Sequence, residues 1–289
     1  MPSSHAQRNN MRIKKHSNKN EYLLTPAGMW VRNYTKTLVP FVDINSLTRE
    51  QEYSLLLENE TVNNRSRHPW VDSEKFLHDK IVIVSDGHWF NVVEKVLGRL
   101  DKSVTIMAVN GALKKWKESR VPGYYVVNNP YPECLHFMPR VFPRCIASVR
   151  TNHQFLERYR GVKYRYLPVG DEKFSGTKGS EVEYQIDDYR NPICAAVCLA
   201  YHFGVQKLLL ACCDDSFGEE RPGAEALPNG LWQYPQQRVG HGFIDGCLYW
   251  LRQSGPEMSI RSSSACLEYE NAPYIRPEEI VTFFEDKNG

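Results

Sequence analysis

Asp214-Asp215-Ser216 closes an apolar run, Leu208 to Cys213, and puts two carboxylates and a hydroxyl side by side. Carboxylates so placed can hold a divalent metal, accept a hydrogen bond from a ribose hydroxyl or assist a leaving group. The same residue types also make a solvated loop with a helix cap. Polar residues close other apolar runs in the same way: Asp86-Gly87-His88 after Lys80 to Ser85, Asn110-Gly111 after Val104 to Val109, and Asn128-Asn129 after Tyr124 to Val127. Further along, His241 and Asp245 are i, i+4 neighbours, the spacing of a base with an orienting carboxylate and equally of a surface pair.

Positioning these groups falls to strands and helices in alternation. Lys80 to Ser85, Val104 to Val109, Tyr124 to Val127 and Lys207 to Cys213 are short apolar runs bounded by polar residues, the pattern of strands buried on both faces. Between the first two, Val92, Val93, Val96, Leu97 and Leu100 share one helical face opposite Glu94, Lys95 and Arg99. Ala112 to Glu118 reads as a second helix. Arg190 to Phe203 reads as a buried one, stopped by Gly204. Cys145 to Val149, Tyr164 to Leu167 and Met258 to Ser264 are further short strands. Gln236 to Gln253 is a helix with Val239, Phe243, Cys247, Leu248, Trp250 and Leu251 on its apolar side, and Ile280 to Phe284 is a last strand or a docking segment. Short connections between alternating elements predict an α/β fold, a doubly wound, mostly parallel, Rossmann-like sheet. In such sheets ligands bind beyond the carboxyl ends of the strands, so the polar decoration there predicts a nucleotide-type site.

Composition narrows the classes. The 289 residues are 42% hydrophobic and 24% charged, with a net charge of +2, which is ordinary for a soluble globular chain and gives no general affinity for nucleic acid. Arg8, Arg12, Lys14, Lys15 and Lys19 precede the first acidic residue, Glu21. Residues 1–20 therefore read as a disordered basic tail, the one segment that could touch nucleic acid or an anionic membrane. No apolar stretch follows to make a secretory signal, and none is long enough to span a membrane. Eight cysteines without zinc spacing fit reduced thiols and a cytoplasmic location. Residues 21–78 decorate the sheet, with Thr48 to Gln51 a capping box for a helix through Leu57, and 79–289 form the α/β domain. Residues 171–188 contain Ser175-Gly-Thr-Lys-Gly-Ser180, which departs from the phosphate-loop pattern and reads as a mobile surface loop. Pro222 to Pro235 reads as an irregular segment or lid.

Two blocks resemble a known family. VTIMAVNGALKKWKESRVPGYYVVNNP (104–130) is similar to a segment of the MptE-like, 6-hydroxymethylpterin pyrophosphokinase-like proteins. NPICAAVCLAYHFGVQKLLLACCDDSF (191–217) resembles a block shared by that family and the bacterial CMP-sialic-acid-dependent sialyltransferases. The resemblance implies that Asp86 and Gly87 stand at the turn facing the nucleotide, that Asn110, Asn128, Asn129 and Asn191 contact it, and that Asp214 or Asp215 is the acidic strand end. The family's glycine-rich turn is replaced here by Ser85-Asp86-Gly87-His88-Trp89-Phe90, and Pro192 stands where a small residue is common.

The expected activity is that of a nucleotide-dependent transferase, moving a sugar or pyrophosphoryl group from a nucleotide donor to a small-molecule or glycan hydroxyl. His241 and Asp215 are the catalytic candidates, and Asp214 with Asp215 would hold Mg²⁺. The replaced turn supports the alternative of a nucleotide- or glycan-binding protein without catalysis.

Overall fold

The computed structural model describes residues 13–15, 21–24, 29–34, 37–42, 47–66, 68–71, 76–169, 185–214, 216, 218–219, 224–227, 230–233, 235–255, 257–264 and 269–285; before residue 43, at Arg49 and over 235–240 it describes the backbone. Near the start, β1 (Ile13–Lys15), β2 (Glu21–Leu24), β3 (Met29–Tyr34) and β4 (Thr37–Val42) pair antiparallel in sequence order. The remainder of the 1–20 tail lies outside the described residues.

Helix α1 (Arg49–Arg65) opens on the expected capping box, in which the Gln51 amide N–H donates to the Thr48 hydroxyl and the Thr48 N–H to the Gln51 side chain. It runs two turns past Leu57, through a stretch whose asparagines are poor helix formers. Tertiary bonds offset that weakness. The Asn59 amide donates to the Pro130 carbonyl, and the Asn63 amide to those of Val149 and Thr151.

Seven parallel strands form the main sheet: β5 (Lys80–Val84), β6 (Thr105–Val109), β7 (Tyr124–Val127), β8 (Arg144–Ser148), β9 (Lys163–Tyr166), β10 (Lys207–Ala211) and β13 (Ser259–Ser263), in the order β13-β10-β5-β6-β7-β8-β9. β11 (Glu225–Ala226) and β12 (Trp232–Gln233) form a separate small hairpin within the segment expected to be irregular. The chain steps from β5 to β9 in one direction, then returns to lay β10 on the other side of β5. Both sheet faces are covered, as continuous apolar strands require. Ile81, Ile83, Met107, Val109, Val126, Leu208, Leu210 and Ile260 pack with α5 (Pro192–His202) and α6 (Pro235–Ser254). Their alternating neighbours Val82, Val84, Ile106, Ala108, Tyr125, Val127 and Leu209 pack with α2 (Phe90–Leu97), α3 (Ala112–Lys115), α4 (His153–Arg158) and α7 (Ile280–Glu285).

This is the doubly wound α/β architecture read from the sequence. Three local readings change. Ile280 to Phe284 is a helix rather than a strand, because Ile280 and Phe284, at i and i+4, both bury into the sheet's second face. The helix expected over Ala112 to Glu118 ends at Lys115, where Trp116 turns to extended backbone. Finally, the surface-loop reading of 171–188 fails at its end: Ile186 bridges to Pro168, and both Ile186 and Asp188 are buried. The rest of that segment lies outside the described residues. All seven described cysteines are buried and carry no disulfide. Among the described residues no helix is long and apolar enough to cross a membrane.

Candidate functional site

Reversal of direction between β5 and β10 creates a switch point, with the helices that follow the two strands on opposite faces of the sheet, the position of the binding crevice in open α/β sheets. The loop after β5 stays joined to β10 through Ser85 N–H to the Ala211 carbonyl and Gly87 N–H to that of Cys212. Gly87 is required here. A Cβ on it would lie 2.2 Å from Asp214 Oδ1 and 2.7 Å from the Cys212 carbonyl oxygen. Gly111, after β6, is approached only by a side chain: its Cβ would come within 2.5 Å of Asp86 Oδ2, which would have to swing aside. Each glycine turn is thus filled by a carboxylate of the neighbouring loop. Lys115 Nζ balances one of them, donating to the Asp86 carbonyl at 2.7 Å and lying 3.3 Å from its Oδ2. Asn110 closes β6 in the left-handed region at φ 50, a conformation asparagine tolerates, and reaches across to Ser85 Oγ at 3.4 Å.

His241, near the start of α6, reaches the same crevice. Its Nε2 is 3.3 Å from Gln233 Nε2, and that amide also donates to the Asp214 carbonyl at 2.7 Å. Burial lowers the imidazole pKa, with the Asp214 charge opposing, so the ring is neutral near pH 7. With Gln233 donating, Nε2 is an acceptor. Asp245 serves a different bond, accepting from the Asn271 N–H at 3.1 Å, so the side chain oriented around His241 is Gln233. Asp214 is fully buried, accepting the Ser216 N–H on Oδ1, and Ser216 Oγ is buried with no hydrogen-bond partner among the described residues. Asp215 lies outside the described residues. No group of three or more His, Cys, Asp or Glu side chains that could hold a metal ion occurs among the described residues.

A second cluster lies along the same edge, beyond β7 and β9. Asp188 is almost fully buried and accepts from Tyr166 OH at 2.8 Å, Asn128 Nδ2 at 3.3 Å and Arg190 N–H at 2.9 Å. Burial raises its pKa, while these donors and the nearby Arg150 charge pull it down. Tyr131 OH and Arg190 Nη1 meet on Glu52 of α1 at 2.9 and 2.5 Å, so α1 is tied to this edge.

Of the nucleotide-contact residues expected from sequence, Asp86, Gly87 and Asn110 meet at the crevice. The other asparagines bond within the fold: Asn128 donates to Asp188, Asn129 accepts the Tyr131 N–H, and Asn191 caps α5 by accepting the Ile193 N–H at 2.8 Å. Asp188 was hidden in sequence by its polar, glycine-rich neighbourhood. Its one visible sign is its place three residues ahead of an Asn-Pro helix start. Every non-glycine residue with positive φ among those described (Asn110, Tyr189, Arg190 and Cys212) stands at this carboxyl edge, and such strain gathers at functional sites. No protein-family model, curated protein or solved structure matches this chain.

Proposed function

We propose that the chain is a nucleotide-dependent transferase whose donor lies along the carboxyl edge of the sheet, across the β10-β5-β6 crevice. The observation that carries this is the convergence on a topological switch point of two glycine turns, the Asp86 and Asp214 carboxylates, Lys115, Asn110 and a neutral, buried His241. The resemblance of residues 104–130 and 191–217 to the MptE-like proteins and sialyltransferases supports the same reading.

Carboxylates already fill the places where a glycine-rich turn would admit bare phosphate, so the donor's charge must be neutralised. A nucleotide entering as its Mg²⁺ complex meets that condition. Asp86, the more exposed of the two carboxylates, would share the ion, while buried Asp214 would act through its packing on Gly87 and its charge near His241. In this proposal the acceptor hydroxyl displaces the Gln233 amide from His241 Nε2, which takes its proton as the sugar or pyrophosphoryl group moves to that oxygen and its bond to the departing nucleotide breaks, a contribution of about 10²–10⁴ in rate.

The test is titration calorimetry with CMP, UDP and ADP, with and without Mg²⁺, followed by product assays on the nucleotide that binds. Mg²⁺-strengthened binding and transfer abolished in His241→Ala are the expected results. Absence of binding to all three would reject the proposal. The filled glycine turns also favour a second reading, a nucleotide- or glycan-binding protein without catalysis, which predicts binding but no transfer by the wild type.

A further inference from the structure

Helix α6 has two unlike faces. His241, Ile244, Cys247, Leu248 and Leu251 are buried on the side toward the sheet. The opposite side exposes Gly242, Phe243, Gly246, Tyr249, Trp250 and Gln253, a stripe at helical spacing. Such an outer stripe ordinarily carries charge, and this one carries none. Phe243, Tyr249 and Trp250 are 42%, 57% and 44% exposed. Neighbouring rings widen the patch beyond the helix. Tyr189, 47% exposed, stacks on Phe243 with centroids 4.9 Å apart, and Tyr201 of α5 meets Trp250 edge-on at 4.8 Å. Gly246 lies between Phe243 and Trp250 along the helix and leaves a notch between the two rings. A Cβ on Gly242 or Gly246 would meet nothing within 4 Å, so no contact among the described residues calls for these two poor helix formers. Bare helix in that place lets another backbone come close.

We infer that this outer face of α6 is the interface between two copies of the chain. The inference stands apart from the nucleotide reading, since it concerns the side of α6 turned away from His241. Area and charge both fit a second copy. Aromatic side chains present about 150–250 Å² each, so four rings roughly half open leave on the order of 400 Å² of apolar surface. A stable dimer takes about 800 Å² from each partner, a little over half of it apolar, or roughly 450 Å². The patch supplies about that amount. A face without charge also meets its own copy with no like-charge repulsion, and offers a charged partner nothing to pair with. Crossing the two α6 helices antiparallel at Gly246 brings the two bare turns together and sets Trp250 of one copy over the partner's Gly242. Ring against notch on both sides is the self-complementary contact of a twofold dimer.

The experiment is sedimentation equilibrium of the full chain over a concentration series, comparing the wild type with Gly246→Glu, Trp250→Ser and Val162→Ser. Gly246→Glu sets like charges together at the centre of the interface, and Trp250→Ser deletes its largest ring. Val162, 60% exposed on another surface, is the control. Glutamate is a better helix former than glycine and position 246 has room for it, so the Gly246→Glu monomer should keep its melting temperature. The wild type is expected to sediment as two chains and Val162→Ser to match it, while the two α6 variants dissociate roughly 10–1,000-fold more readily. A wild type that stays a single chain at every concentration overturns the inference, whether the face is then bare or covered by another part of the chain. A dimer that neither α6 substitution weakens overturns it too, because another surface then holds the copies together. Equal weakening by Val162→Ser would trace the effect to lost stability and overturn it in the same way.

Discussion

Two edges of one sheet spend their polar groups differently. At the amino edge, Lys80 Nζ and Lys207 Nζ donate to the carbonyls of Phe284 and Phe283, and Arg120 donates to those of Leu100 and Val104. His78 sits between Tyr124 OH and Thr105 Oγ1 at 2.9 Å each. These cations and neutral groups close helix ends and turns, and the left-handed residue there is a glycine, Gly204 at φ 78. The carboxyl edge instead gathers carboxylates against one another's loops, holds a neutral histidine beside one of them, and keeps four non-glycine residues at positive φ. A fold gains nothing from that arrangement that the amino edge does not obtain more simply. Non-glycine residues at positive φ, which among those described stand on this edge alone, mark it as the candidate site.

The comparison sharpens most at His241. Replacing it with alanine should lower kcat by roughly 10²–10⁴ while nucleotide affinity stays within a few-fold; a loss below about threefold would leave the imidazole structural. Gly87→Ala should destabilise by about 1–3 kcal/mol, read from denaturant midpoints, because its Cβ meets the Cys212 backbone carbonyl as well as the Asp214 side chain. Asp188→Ala strands the Tyr166, Asn128 and Arg190 donors, with an expected cost of about 1–3 kcal/mol and weakened docking of the β9–α5 connection. Gly204→Ala at the amino edge should cost about 1 kcal/mol through its left-handed φ and leave nucleotide affinity unchanged.

The smallest effect is in pH. Burial lowers the folded pKa of His241 below the ordinary value of about 6.5, so below that value the unfolded chain binds more protons and stability is lost as pH falls. Asp188 has the opposite sign. Its raised pKa makes the folded state hold the proton longer, so stability is lost as pH rises from the ordinary carboxylate range through the raised value. Asp188→Asn should remove that second limb from a pH series of melting temperatures and leave the first intact.

Sequence made the sheet legible because strands buried on both faces must be continuous apolar runs, and KIVIV, TIMAV, YYVV and KLLLA have no other use. It also placed Asp86, Asn110 and Asp214 at strand ends, since that position follows from the strand. Strand order was not written in any local run, so the meeting of the β5 and β10 loops across more than a hundred residues became visible only with the fold. Gln233 is only eight residues from His241, but the short hairpin that turns it back carries no periodic signal, and i, i+4 spacing had offered Asp245 instead. Asparagines 128, 129 and 191 carry amides that suit a ligand and a fold equally. Their bonds to Asp188, Tyr131 N–H and Ile193 N–H became visible only with the fold.

The most direct measurement is amide hydrogen exchange of the whole protein with and without a saturating nucleotide and Mg²⁺. Slowed exchange over residues 85–88, 110–112, 188–191 and 212–214, with 78–80 and 204–207 unchanged, is the predicted result. Protection confined to the amino edge, or none on either edge at concentrations that saturate binding, would contradict the assignment of the site to the carboxyl edge.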